Sequence, residues 1–99
     1  MDVGYLSIKL DEASRTAFRG DKQAVFRNFE HSWRVFVALC LAKGYVHRTS
    51  ELLTAGWDDA IVINANLQNE ISRIRKIIKD LQLRIESVRK SGYRLLDDA

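Results

Sequence analysis

Residues 85–95 read IESVRKSGYRL, and this stretch decides the fold. Two strand-like flanks meet at Lys90-Ser91-Gly92, where Gly92 tolerates the positive φ of a chain reversal. The pattern predicts a hairpin over residues 84–96. Ile85 and Val88 stand three apart rather than two, which predicts a bulge or a local twist. Arg84, Arg89, Lys90 and Arg94 crowd the same hairpin.

The charge extends upstream. Residues 1–70 hold eight Lys/Arg against nine Asp/Glu, whereas residues 71–94 hold eight basic residues against Asp80 and Glu86. A net charge of +3 thus hides a strongly basic last third, as expected of a surface that faces a polyanion. Just before the hairpin, Leu67, Ile71, Ile74 and Ile78 step by four, three and four, which is one apolar stripe of a helix. With that stripe turned inward, Ala65, Asn69, Ser72, Arg73 and Lys76 point outward, with Asn66 and Glu70 at the margin. Asn can bond adenine N6 and N7, and Arg can bond guanine O6 and N7, so this order suits a major-groove helix. Its distal cations would meet phosphates. An ordinary amphipathic surface helix would carry similar residues, but three Asn in six positions is poor helix chemistry, and caps excuse only Asn64 or Asn66.

Further upstream, Thr49 or Ser50 opens a shorter helix running to about Gly56-Trp57. Trp33, Phe36, Val37, Cys40 and Leu41 recur at helical spacing, with Asn28 as N-cap and Gly44 as C-terminal cap residue. Residues 5–10 alternate, with Leu6, Ile8 and Leu10 on one side. Residues 15–19 and 23–26 are two further short strands, so the chain opens as an antiparallel meander.

Composition narrows the function. Ninety-nine residues, 46% of them hydrophobic and 29% charged, suit one globular domain. The longest uncharged apolar run, VFVALCLA at residues 35–42, is too short to span a bilayer. No secretory leader is expected, and the one cysteine, Cys40, cannot form an internal disulfide, which points to a reducing cytoplasm. Cys40 reads as a small core residue. His31 and His47 match no metal-ligand spacing, so no metal or cofactor is expected. Trp33 and Trp57 read as packing residues. With no phosphate loop, nucleophile elbow or paired carboxylates, no catalytic residues are assigned.

Three helices after a strand meander, closed by a basic hairpin, resemble the winged helix-turn-helix domain of OmpR/PhoB-type response regulators. ELLTAGW at residues 51–57 resembles the family's second helix, a Leu followed five residues later by Trp. ISRIRK at residues 71–76 is similar to its recognition-helix signature, Ile-x-Arg-Leu-Arg-Lys. IESVRKSGYRL is similar to its wing, Ile-x-Thr-Val-Arg-Gly-x-Gly-Tyr-Arg-Leu. The resemblance covers roughly residues 5–96. It implies an α+β winged helix-turn-helix: meander over 5–27, three-helix core over 28–80, wing over 84–96, together one domain of residues 1–99.

The resemblance also implies a bacterial, cytoplasmic and nucleoid-associated transcriptional regulator that binds double-stranded DNA sequence-specifically. Its third helix would enter the major groove and its wing the minor groove. The groove and backbone contacts would fall on Asn66, Asn69, Glu70, Ser72, Arg73, Arg75, Lys76, Ser87, Arg89 and Lys90, with Ala65 also on the groove-facing side. Tyr93 would pack the hairpin onto the core. The loop at residues 57–63, with Asp58 and Asp59, would be available to RNA polymerase, and two copies would bind in tandem on repeated half-sites.

Several positions depart from the family's pattern. Ala65 stands where an Arg is usual, Glu70 where a His or another non-acidic residue is common, and Ser32 replaces a Glu of the first helix. Arg48 replaces the Ser before the second helix, and Lys90 replaces the first wing Gly. These changes move the DNA preference away from the family's. Ala65, Glu70 and the acidic first two-thirds also fit a second reading, a winged-helix adaptor or anti-activator that binds protein instead of DNA. No receiver domain is read in the sequence, which suits either an excised output domain or a stand-alone factor.

Overall fold

The computed structural model describes residues 1–57 and 64–98. Strands β1 (Ile8–Asp11), β2 (Thr16–Arg19) and β3 (Lys22–Val25) form an antiparallel sheet in the order β1-β2-β3. Helices α1 (Glu30–Leu41), α2 (Thr49–Gly56) and α3 (Asn64–Ile78) follow, with the two-residue strand β4 (His47–Arg48) between α1 and α2. A 3-10 turn over Lys79–Leu81 leads into β5 (Leu83–Val88) and β6 (Gly92–Asp97), and the second sheet has the order β4-β6-β5. The fold is α+β, as the sequence predicts.

The α3 stripe is buried as expected: Leu67, Ile74 and Ile78 are fully covered and Ile71 is 1% exposed. Burying each such side chain contributes roughly 1.5–3 kcal/mol, so the stripe fixes the rotation of α3 about its axis and hence which residues face outward. Helix α1 follows a different line from the expected one. Trp33, Val35, Phe36, Leu39 and Cys40 are buried, whereas Val37 is only partly covered and Leu41 is 54% exposed. The helix is apolar on nearly every side, so spacing alone cannot select the face that α2 and α3 cover. Phe26 ties the first sheet to this core, edge-on to Trp33 at 5.3 Å and stacked on Phe36 at 5.1 Å. The Trp33 Nε1–H donates to Glu12 Oε2 at 2.6 Å.

Several boundaries differ from the sequence reading. Strand β1 starts at Ile8, because Leu6 and Ser7 hold positive φ values of 50° and 59° and form a turn instead. Asn28 does not cap α1: the Phe29 N–H donates to the Phe26 carbonyl at 2.8 Å, so a backbone turn delivers the chain to Glu30. At the other end Lys43 takes the first left-handed position (φ 51°), its N–H donating to the Cys40 carbonyl, and Gly44 (φ 87°) comes one residue later. Gly44 is also required sterically, since a Cβ there would sit 2.5 Å from the Tyr5 hydroxyl oxygen. Asn66 is inside α3 rather than capping it.

The wing is regular. Ile85 pairs with Leu95, Glu86 with Arg94, Ser87 with Tyr93 and Val88 with Gly92, with no extra residue. The expected bulge is absent because Ile85 faces the core while Val88 lies on the opposite face, half-buried. Lys90, whose φ is 62°, takes the left-handed position of the reversal, and Gly92 follows it with a positive φ of 158°, as expected. Gly92 has another duty. A Cβ there would lie 2.0 Å from the His47 carbonyl oxygen, so only glycine lets β4 approach β6.

Candidate nucleic-acid interface

Orientation of α3 exposes Ala65, Asn66, Gln68, Asn69, Ser72, Arg73, Arg75 and Lys76, and leaves Glu70 largely covered. In the wing, Ser87, Arg89 and Lys90 are exposed. The two elements flank one open cleft, with Gln68 on the helix side and Ser87, Arg89 and Lys90 on the wing side. Thr49, at the start of α2, closes one end of it and donates its N–H to the Ser91 carbonyl at 3.4 Å. Helix face and wing turn therefore form a continuous surface. Tyr93 is half-buried against the core, as expected.

Arg75 joins the two walls. Its Nη2 donates to the Ile85 carbonyl and to Ser87 Oγ, each at 3.0 Å, and its Nε donates to the Ile85 carbonyl at 3.3 Å. The side chain that the sequence reading puts near phosphate thus holds β5 against α3. Ser87 is engaged as the acceptor.

Glu70 and Arg73 also have internal partners. Arg73 Nη1 donates to both Glu70 oxygens, at 2.9 and 2.8 Å, and its guanidinium carbon lies 4.7 Å from the centre of the Phe29 ring. From the other side Ser32 Oγ donates to Glu70 Oε1 at 2.5 Å. The Glu70 side chain is only 12% exposed, against 42% for Arg73.

Ion pairs account for much of the basic excess. Arg94 binds Glu86 at 2.6 Å, and Arg84 approaches Glu86 at 3.6 Å and Asp98 at 3.9 Å. With Arg73 and Arg75 engaged as well, the cations of residues 71–94 left without an acceptor among the described residues are Lys76, Lys79, Arg89 and Lys90. Composition counts eight and cannot show which have internal partners; Arg73, Arg84 and Arg94 face carboxylates, whereas Arg75 is held by neutral acceptors and keeps its charge. Arg48, exposed beside the wing turn, adds a further cation. It precedes α2, where Glu51 Oε1 accepts its backbone N–H at 3.2 Å.

Other groups are structural. His31 Nδ1 is 2.8 Å from the Gly56 carbonyl oxygen and its ring stacks on Trp57 at 4.8 Å. His47 Nδ1 is 3.4 Å from Glu51 Oε1. Cys40 is buried, and burial pushes its thiol far above the ordinary value, so it stays protonated and unreactive. No group of metal-binding side chains forms among the described residues, and no helix among them is long and apolar enough to cross a membrane. Asp58 and Asp59 lie outside the described residues.

Two residues that matter here were not singled out as contacts from sequence. Gln68 reaches the cleft only because the wing folds back over the start of α3. Phe29 reads as a residue before a helix until Arg73 is seen above it.

A meander, three helices and a wing packed against the third define a winged helix-turn-helix domain. Residues 29–95 match the family described as "Transcriptional regulatory protein, C terminal", and the chain belongs to that family, the OmpR/PhoB type. Solved structures agree in fold. The DNA-binding domain of the response regulator AdeR, solved in complex with an intercistronic region, superposes with a TM-score of 0.75 at 18% identity, covering 94% of this chain and 96% of that one. The DNA-binding domain of E. coli CadC superposes with a TM-score of 0.75 at 24% identity over 92% of this chain and 87% of that one. The Klebsiella pneumoniae RstA DNA-binding domain, solved with the RstA box, gives a TM-score of 0.71 at 20% identity over 96% and 95%. No curated protein sequence matched the chain.

Proposed function

We propose that residues 1–99 act as one unit that binds double-stranded DNA sequence-specifically and regulates transcription, with α3 in the major groove and the wing turn at the adjacent minor groove. The observation that carries this reading is the continuous surface made by the outer face of α3 and the wing turn. Exposed Asn66, Gln68 and Asn69 lie on it, and so do Lys76, Arg89 and Lys90, which have no internal acceptor among the described residues. Family membership and the DNA-bound state of the AdeR and RstA relatives support the same reading.

Roles follow from position and chemistry. Asn66 and Asn69 are placed to read adenine edges and Arg73 to read guanine. Ser72 and Gln68 can bond either base edges or phosphate oxygens. Lys76 meets phosphates, and Arg89, at the wing tip, enters the narrow, electronegative minor groove. Arg75 and Ser87 hold the wing at the separation from α3 that both grooves require. A single domain of this size makes few contacts, so two copies occupy repeated half-sites about one helical turn apart. The loop at residues 57–63 is the surface offered to RNA polymerase, and the protein works in the bacterial cytoplasm.

Selection of bound sequences from a random duplex pool tests the reading. A single enriched motif, repeated at helical spacing, is expected. No enrichment by folded protein would favour the adaptor reading, which the internal neutralisation of Arg73, Arg84 and Arg94 makes the second choice.

A further inference from the structure

One cluster on the groove side of α3 is more elaborate than a contact surface needs. Ser32 on α1 is fully buried and its hydroxyl has one acceptor, Glu70. Glu70 in turn receives Arg73 Nη1 on both oxygens, and Phe29 carries the guanidinium on its ring face. Two bonds to Glu70 on the same helix and the ring of Phe29, just before α1, thus fix a long, flexible side chain that would otherwise sample many rotamers. Arginine has five donors in a planar fork, and only Nη1 is engaged here. Nε and Nη2 have no acceptor among the described residues, and their parallel N–H groups form the side-on fork that matches guanine O6 and N7.

We propose that Glu70 is a positioning residue that sets the base preference of Arg73. It acts through Arg73 and does not itself contact a base. The carboxylate does two things at once. It fixes the guanidinium so that one fork is presented in one orientation, and it cancels the Arg73 charge so that little phosphate attraction competes with base recognition. A free arginine in this place would bind backbone and base alike. The Glu70–Arg73 pair instead gives up non-specific affinity for discrimination at one base pair. This inference rests on the DNA-binding reading.

The test compares the motif selected from a random duplex pool, and the salt dependence on random duplex, for wild type, Glu70→Ala and Glu70→Gln. Glu70→Ala should lose the guanine preference at one position while retaining the rest of the motif, and its log K against log salt should steepen by about one unit as Arg73 becomes available to phosphate. Glu70→Gln keeps an amide oxygen for Arg73 and a partner for Ser32, so it should retain the preference while its slope also steepens. It serves as the control should Glu70→Ala unfold by orphaning Ser32. Arg73→Ala should lose the same position of the motif. The proposal is overturned if folded Glu70→Ala selects the wild-type motif at every position, or if it loses affinity for specific and random duplex alike with no change of slope. Failure of wild type to select any motif would instead remove the underlying functional reading.

Discussion

Arg75 Nη2 stands 3.0 Å from the carbonyl oxygen of Ile85, a bond that fastens the wing to the helix beside it. The consequence is mechanical. A protein that reads two grooves at once must hold its two reading elements at a fixed separation, and a hairpin tethered only at its base would not.

This relation predicts a contrast between neighbours. Arg75→Ala removes the tether and should weaken DNA binding with little change in the slope of log K against log salt. Lys76→Ala should flatten the slope by about 0.9, the value of one phosphate contact. Equal flattening by both variants would make Arg75 a phosphate ligand and not a brace.

Lys90 occupies a left-handed backbone position (φ 62°) where glycine carries no Cβ penalty. Lys90→Gly should therefore stabilise the fold by about 1 kcal/mol while weakening binding to duplex, separating stability from affinity. Chemical denaturation and a binding titration on the same sample read the two effects. A destabilised variant would show that the lysine side chain holds the turn.

Gly92→Ala should do the opposite. The new methyl group meets the His47 carbonyl, so β4 must detach from β6, at a cost of roughly 1–3 kcal/mol typical of overpacking. Because Thr49 begins α2 directly after β4, amide exchange should rise at His47, Arg48 and Thr49. Unchanged exchange there would mean that the strand pair relaxes without opening.

The Glu30 carboxyl contributes to acid sensitivity. Arg15 donates to Glu30 from Nε at 3.1 Å and again from Nη2, and this hydrogen bonding holds the Glu30 carboxyl below its ordinary value of 4.5. A carboxyl depressed in the folded state contributes its stability above the unfolded pKa and loses it as pH falls through the folded one. Both side chains are more than a third exposed, so solvent screening keeps the effect small. Wild type should therefore exceed Arg15→Gln in stability above pH 4.5, and the gap should close below it. A gap independent of pH would assign the contribution to packing.

Element order, the burial of the α3 stripe and the wing were legible in the sequence because each has a period or motif that local chemistry enforces. The face of α1 was not, since a helix apolar all round gives spacing no contrast to work with. The start of α1 escaped for a related reason: Asn28 is good capping chemistry, but a backbone bond between Phe29 and Phe26 positions the chain first. At the candidate interface, composition located the basic region and could not divide it. Arg94 faces Glu86 and Arg84 approaches Asp98 only once the hairpin register pairs the strands, and Arg73 meets Phe29 only when α1 and α3 pack.

A titration of binding to random duplex against salt reads this division of the basic region directly. Four cations of the last third, Lys76, Lys79, Arg89 and Lys90, have no internal acceptor among the described residues; if all meet phosphates, log K falls linearly with log salt at a slope of about −3 to −4, whereas all eight would give about −7. The shallower line is expected. Folded protein that binds no duplex at low salt would contradict it.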